Sequence, residues 1–505
     1  MAGLRGLAGD TMWYGLSSIV GRLINYLLVP LYTAVFALGE YGIVTELYAY
    51  IGFFYVIYTY GMETAYFRFA TKGEDEKSIF NTSFSAILTS SFLFSVILVI
   101  FSSDIAAILG YEGKEVVIYW LAAIIAIDAI VSIPYARLRL QKKAKKFAFI
   151  KLFQVILIIV LNLFFYLLCY KIYQGVWFPE AKSIVDSFFD EEFKVKYVFL
   201  SNMVANALVL VLLSKELKDF NFTLKFDQLK PLLAYALPLL IMGLAGITNE
   251  MLSRALLKEW LPDNFYPGQS SLAALGVFGA CYKLSVFMLL GIQAFRYAAE
   301  PFFFSEASNK NSPVLFAKIM SGFIALNAIV FMAVSVNLEP IGMVFLRNPE
   351  YREGLYIVPF LLLGYLFHGI YYNLSVWYKI TDQTKYGAII TGFGAVMTVV
   401  LNYILIPIMG YFGSALATLL TFFVMTVINF VLGQKHFPVP YDVAKAAEYL
   451  LVSSVAVWLL FNLDAGHWAL NFLIKNASVL LFVTYIYLRE RKHLAGRIIF
   501  GYKLP

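Results

Sequence analysis

Residues 145–162 read KKFAFIKLFQVILIIVLN, and residues 385–402 read KYGAIITGFGAVMTVVLN. Each stretch opens on a lysine and closes on Val-Leu-Asn, and the second lies 240 positions after the first (385 against 145). At the same offset Arg139 falls on Lys379 and Asp128 falls on His368. A three-residue match alone means little. A basic residue, a long apolar run and a polar stop that register without a gap mark two copies of one unit. A weaker echo links Tyr41-Gly42-Ile43 to Leu275-Gly276-Val277. Each of these later segments ends among an acid and an arginine, Glu63 with Arg68 and Arg296 with Glu300.

Both copies have the length and apolarity of helices that cross a bilayer, which takes roughly 20 residues. Similar runs fill the chain, at 11–36, 41–62, 79–101, 116–136, 147–169, 197–214, 231–257, 271–295, 313–336, 353–376, 386–408, 411–432, 442–462 and 468–488. Of the 505 residues, 61% are hydrophobic and 14% charged, against roughly 25% charged in soluble proteins. So few charges cannot cover a water-facing surface, and the alternating ten-residue segments of a membrane barrel are absent. The expected fold is an all-α polytopic membrane protein of about fourteen transmembrane helices. The repeat is six helices long, an even number, so both copies enter the membrane in one orientation. This predicts two six-helix bundles related by a pseudo-two-fold axis along the membrane normal, a plan shared by many transporters. The expected domains are 1–215 for the first bundle, 216–433 for the second, and 434–505 for two further helices with a basic tail.

Charge placement orients the chain. Most of the 39 basic residues fall on the side of the N-terminus, including Arg137, Arg139, Lys142, Lys143, Lys145 and Lys146 after the fourth span. That asymmetry places both termini in the cytoplasm. The net charge of +7 then reports topology and contact with anionic lipid, not nucleic-acid binding. The first apolar segment is too long for a signal peptide and is expected to stay as the first helix. The longest connection, Tyr170 to Lys196, is external and carries Trp177, Phe188, Phe189 and the run Asp190-Glu191-Glu192; it reads as an amphipathic element at the interface. Cys169 and Cys281 sit in apolar runs and read as small buried hydrophobes.

Several stretches carry a family resemblance: Gly9-Asp10-Thr11-Met12-Trp13-Tyr14-Gly15-Leu16, then Asn25-Tyr26-Leu27-Leu28-Val29-Pro30-Leu31-Tyr32-Thr33, Glu40-Tyr41-Gly42, and Gly61-Met62-Glu63-Thr64-Ala65-Tyr66-Phe67-Arg68. The seventh span adds Leu237-Pro238-Leu239, Gly243-Leu244-Ala245-Gly246, Asn249-Glu250 and Arg254. The chain resembles the polysaccharide-transporter (O-antigen flippase) branch of the multidrug/oligosaccharidyl-lipid/polysaccharide exporter superfamily. One departure is Ser253-Arg254, where relatives often have Asp-Arg. The resemblance implies a bacterial inner-membrane flippase that moves a polyprenyl-pyrophosphate-linked oligosaccharide, an O-antigen, capsule or exopolysaccharide repeat unit, from the cytoplasmic to the outer leaflet. A peptidoglycan-precursor flippase is a further alternative within this reading.

A charge at bilayer depth is costly and usually faces a cavity. Arg22, Arg254 and Lys283 are therefore the candidate ligands for the pyrophosphate, because guanidinium and ammonium groups match phosphate oxygens. The alternatives are a structural ion pair for Arg22 and a snorkelled end for Arg254. Asp128, Glu250, His368, Asn25 and Asn249 are the polar candidates for a cavity or for coupling to H+ or Na+. Glu250 and Arg254, four apart on a helix, are also spaced for a same-face pair, and His368 reads more simply as a neutral, hydrogen-bonded residue. Glu63, Arg68, Arg296 and Glu300 are candidate cytoplasmic gate pairs. Glu46 reads as solvated near the outer mouth.

A drug antiporter of the same superfamily would share the architecture, but its cationic cargo would favour a carboxylate-lined cavity. No phosphate-binding glycine loop of a pump is present, the four histidines are dispersed with no metal cluster, and no large external loop suits a glycosyltransferase. The expectation is a transporter and not an enzyme, without cofactor, working as a monomer on a lipid-linked oligosaccharide among membrane lipids, beside other polysaccharide-assembly proteins such as the polymerase.

Overall fold

The computed structural model describes residues 20–494 except 22, 25, 72–74, 308 and 310, together with 498–499 and 502–503. Helices account for nearly all of it, because a backbone in lipid has no water to satisfy its amides and carbonyls and must pair them internally. In chain order the principal helices are α1 (Leu28–Val35), α2 (Leu38–Thr59), α3 (Met62–Thr71), α4 (Glu76–Ile100), α5 (Val116–Leu140), α6 (Ala144–Leu163), α7 (Lys196–Leu212), α8 (Phe226–Ile247) and α9 (Ser253–Trp260). They continue with α10 (Ser271–Glu306), α11 (Ser312–Val336), α12 (Val358–Leu374), α13 (Lys385–Met409), α14 (Tyr411–His436), α15 (Val443–Phe461) and α16 (Trp468–Leu494). Asp75 and Asp442 cap α4 and α15 by accepting from the backbone N–H groups of Lys77 and Lys445, which fills donors a helix start leaves open.

Among the described residues, twelve helices are long and apolar enough to cross a bilayer, and Lys196–Leu212 is a shorter apolar one. Each falls where hydropathy places a span. Of the first expected span, 11–36, residues 11–19, 22 and 25 lie outside the described residues, and α1 forms its C-terminal part. The all-α polytopic fold is therefore present.

The chain separates into two compact units, Met1–Ala280 with Thr391–Ser414, and Cys281–Ile390 with Ala415–Pro505. In the first, α5 packs against α2, α3, α4 and α7, while α8 packs on α2 and α3. In the second, α11 packs against α12, α15 and α16. The Tyr365 hydroxyl there donates to that of Tyr282 at 2.6 Å, and the Trp377 indole donates to Asn429 Oδ1 at 2.8 Å.

The repeat is visible in the hydrogen bonds of its asparagines. Asn162 and Asn402 are both fully buried. Each donates from Nδ2 to the carbonyl one turn back, Ile158 and Thr398, at 2.7 Å. Each also ties its helix to a neighbour. Asn162 Oδ1 accepts from the Tyr32 hydroxyl of α1 at 2.7 Å. Asn402 Nδ2 donates to Ser253 Oγ of α9 at 3.1 Å, and Asn402 Oδ1 accepts from Ser414 Oγ at 2.9 Å. Asn402→Leu removes this tie and leaves the serine hydroxyls buried without it, so unfolding measured in detergent is expected to show a loss of about 1–3 kcal/mol.

Candidate functional site

The N-terminal ends of α2 and α10 cross at glycines. A Cβ on Gly42 would strike the Leu272 carbonyl oxygen, and one on Gly276 would strike the Leu38 carbonyl oxygen. One on Gly279 would strike the Thr45 side chain. Position 272 stands to 38 as 276 stands to 42, so the contact is reciprocal between repeat-related residues. Only glycine lets two helix backbones approach this closely.

One turn along α2 from Gly42, the Glu46 side chain is fully buried. Lys258 Nζ of α9 donates to its two oxygens at 2.9 and 3.2 Å, and the Tyr111 hydroxyl donates to Oε2. Lys258 also donates to the Leu109 carbonyl at 2.6 Å. Burial and the adjacent Glu46 carboxylate push the Tyr111 hydroxyl well above its ordinary pKa, which keeps it a donor. The expectation that Glu46 is solvated is thereby corrected. Hydropathy gave its depth, but the burial comes from Tyr111 and Lys258, which are distant in sequence and not singled out from it.

On α3 of the first unit and near the C-terminal end of α10 in the second, the acids are joined to cations other than those expected. Glu63 pairs with Arg139, and Glu300 pairs with Lys379 at 2.7 Å. Arg139 and Lys379 are the residues matched by the 240-residue offset, so each acid is held by the repeat-equivalent cation. Helix geometry explains why the local partners do not take them. Glu63 and Arg68 are five positions apart, which places them on different faces, and Arg296 precedes Glu300, the weaker order for a pair four apart. The two arginines instead lie over tyrosine rings, Arg68 over Tyr235 at 4.3 Å and Arg296 over Tyr372 at 5.0 Å.

Midway along the first unit, Asp128 of α5 accepts from Asn206 Nδ2 of α7 at 2.7 Å, and Asn206 in turn accepts from Gln154 of α6. Lys151 of α6 lies within electrostatic reach of Asp128 and rests over the Tyr135 ring at 4.2 Å. In the sequence Lys151 follows the basic run 142–146 and reads as its tail. The apolar residues Phe147 to Ile150 before it are the signal that it lies a full turn inside the helix.

The remaining candidates separate into structural and open roles. Asn249 is buried and tied to α13, donating to the Thr391 carbonyl and accepting from the Thr398 hydroxyl, both at 3.1 Å. Glu250 lies in a π-helical turn, Thr248–Leu252, a distortion common at functional sites. The buried Arg254 donates to the backbone carbonyl of Glu250 at 3.4 Å. Lys283 is half-buried on α10, in the second unit. His368 is buried and stacks on Phe422 with ring centroids 4.2 Å apart, the packing of a core aromatic. Arg22 and Asn25 lie outside the described residues. Among the described residues no group of three or more His, Cys, Asp or Glu side chains is placed to hold a metal.

Comparison with known proteins places this geometry. No curated protein sequence matches the chain. Among solved structures, the fold is similar to "Lipid II flippase MurJ, inward closed conformation", with a TM-score of 0.69 at 14% identity, covering 95% of this chain and 99% of that one. It is also similar to an inward-facing multidrug resistance MATE family transporter of the MOP superfamily, with a TM-score of 0.63 at 15% identity, covering 82% and 94%. At these identities the likeness is one of fold. The family model described as Polysaccharide biosynthesis protein matches residues 36–294, slightly more than half of the chain. The chain therefore belongs to the Polysaccharide biosynthesis protein family of multi-pass membrane proteins.

Proposed function

We propose that the protein is a flippase that carries a polyprenyl-pyrophosphate-linked oligosaccharide, an O-antigen, capsule or exopolysaccharide repeat unit, across a bacterial inner membrane to the outer leaflet. The observation that carries the reading is membership of a polysaccharide-biosynthesis family in a chain whose fold matches a lipid II flippase over 95% of its length. Cations inside the spans support it. Arg22, Arg254 and Lys283 supply the charge a pyrophosphate needs at bilayer depth, where a carboxylate-lined cavity would suit a cationic drug. Alternating access then requires the crossing at Gly42 and Gly276 to part and re-form. Both termini face the cytoplasm, and Asp128 is the acid through which an H+ or Na+ gradient acts.

The test is flipping of a pyrophosphate-linked polyprenyl oligosaccharide in proteoliposomes, scored by enzyme access to the glycan on each leaflet. Arg22→Ala and Lys283→Ala are each expected to lower the rate by about tenfold, the effect of losing one charge-assisted phosphate contact, with the variants eluting as folded monomers. Accumulation of a fluorescent organic cation with no flipping moves the protein to the drug-antiporter class.

A further inference from the structure

The connection from α6 to α7 carries a surface apart from the residues considered above. Its inner side is anchored. Val185 and Phe189 are buried, and Phe189 stacks on Tyr197 with ring centroids 5.1 Å apart. The Tyr197 hydroxyl donates to the Phe188 carbonyl at 2.9 Å, and Lys196 pairs with Asp190 at 2.7 Å. That amine, donating to Asp190, holds its carboxyl below the usual range. The segment is therefore fixed in place, and its other side is open and apolar. Val176 is 60% exposed, Phe178 63% and Ile184 65%, with Trp177 and Phe188 beside them. Ile184 and Phe188 share one face at helical spacing, and Val185 and Phe189 share the other. Phe178 has φ +41°, a left-handed conformation that a bulky residue adopts at a cost.

The surface continues the exposed apolar face of a helix long enough to cross a bilayer. Ile156, Val160, Leu163, Phe164 and Leu167 form an exposed apolar stripe along the spanning helix Ala144–Tyr173. The stripe leads to Lys171, whose carbonyl accepts from the backbone N–H of Val176 at 2.9 Å and of Trp177 at 3.2 Å. The open edge of the connection thus begins where the stripe ends, at the depth of a membrane–water interface. Tryptophan suits that depth, and phenylalanine suits the apolar face of an interfacial element. The acids Asp190, Glu191 and Glu192 suit the water beyond it.

We propose that this edge, Trp177–Phe178 with Ile184 and Phe188, inserts into the interfacial layer of the bilayer leaflet at the ends of α6 and α7 and anchors the first unit there. The partner is a lipid surface, through its glycerol and upper acyl region. The inference stands on the α6–α7 connection alone and does not need the flippase reading.

Phe178→Cys, Ile184→Cys and Glu192→Cys, each labelled with an environment-sensitive fluorophore, test it in nanodiscs containing phospholipid brominated high on the acyl chain. The native cysteines are both buried, and the unsubstituted chain gives the background. Quenching by bromolipid at positions 178 and 184 is expected to exceed that at 192 by about threefold or more, with iodide showing the reverse order, as for side chains at an interface. Equal bromolipid quenching at all three positions, with iodide reaching 178, overturns the proposal and leaves the edge to a protein partner or to water. Where a cysteine variant fails to fold, the loss of bromolipid-quenchable tryptophan emission in Trp177→Phe reads the same contact.

Discussion

Gly276→Val is expected to cut transport in proteoliposomes to about a tenth or less, because a conformational step that cannot complete limits turnover. The atom a new Cβ meets is the carbonyl oxygen of Leu38, which is backbone and cannot rotate away. Helices α2 and α10 must then separate along their N-terminal ends, taking with them the reciprocal contact of Gly42 on Leu272. Valine is a better helix former than glycine, by a few tenths of a kcal/mol, so the effect is one of approach and not of helix formation. Gly291→Val on the same helix is the matched control, since a Cβ there meets nothing within 4 Å, and it is expected to keep the parental rate. Thr45 is buried opposite Gly279. Thr45→Cys should therefore resist a water-soluble maleimide in the parent and react in the Gly276→Val background. Parental transport with an unreactive Thr45→Cys would show that the crossing is incidental.

That crossing marks how far the sequence could be read. Each described span appears at its expected position, because apolar length is a local property and lipid enforces helix. The repeat was legible for the same reason: Lys145 with Asn162 and Lys385 with Asn402 keep their spacing, and the two asparagines make the same backward hydrogen bond. Tyr41-Gly42-Ile43 and Leu275-Gly276-Val277 were legible as an echo. That the two glycines face each other was not, since contact between distant segments leaves no local mark. The same limit applied to charge. Glu63 and Glu300 were assigned to arginines nearby in sequence, whereas the structure gives them Arg139 and Lys379, which the offset had already matched to one another. In the sequence Lys151 trails a basic run and Lys258 lies at a helix end. Only packing against Tyr135 and Glu46 distinguishes them from snorkelling lysines.

The Glu46–Lys258 pair is expected to give the largest stability effects in the first unit. Removing one member of a buried pair strands the other charge, which costs about 3–5 kcal/mol. Lys258→Met takes the cation from the Glu46 carboxylate and leaves it tyrosine hydroxyls, Tyr111 among them. Glu46→Gln leaves the Lys258 ammonium with the Leu109 carbonyl and the exposed Glu259 carboxylate 4.0 Å away. Each single variant should therefore unfold well before the parent in detergent. The double variant Glu46→Gln/Lys258→Met strands neither charge, so it should cost less than the two single changes summed, by a coupling in the upper part of the about 0.5–3 kcal/mol seen for interacting residues. Tyr111→Phe should fall between, because it removes one donor from a carboxylate that keeps its cation. Strict additivity of the two single changes would mean that Glu46 and Lys258 are not charged partners in the folded protein. A stable but inactive double variant would instead separate holding the fold from closing the crossing, since Glu46 lies one turn from Gly42 and its partner Lys258 comes from a different helix.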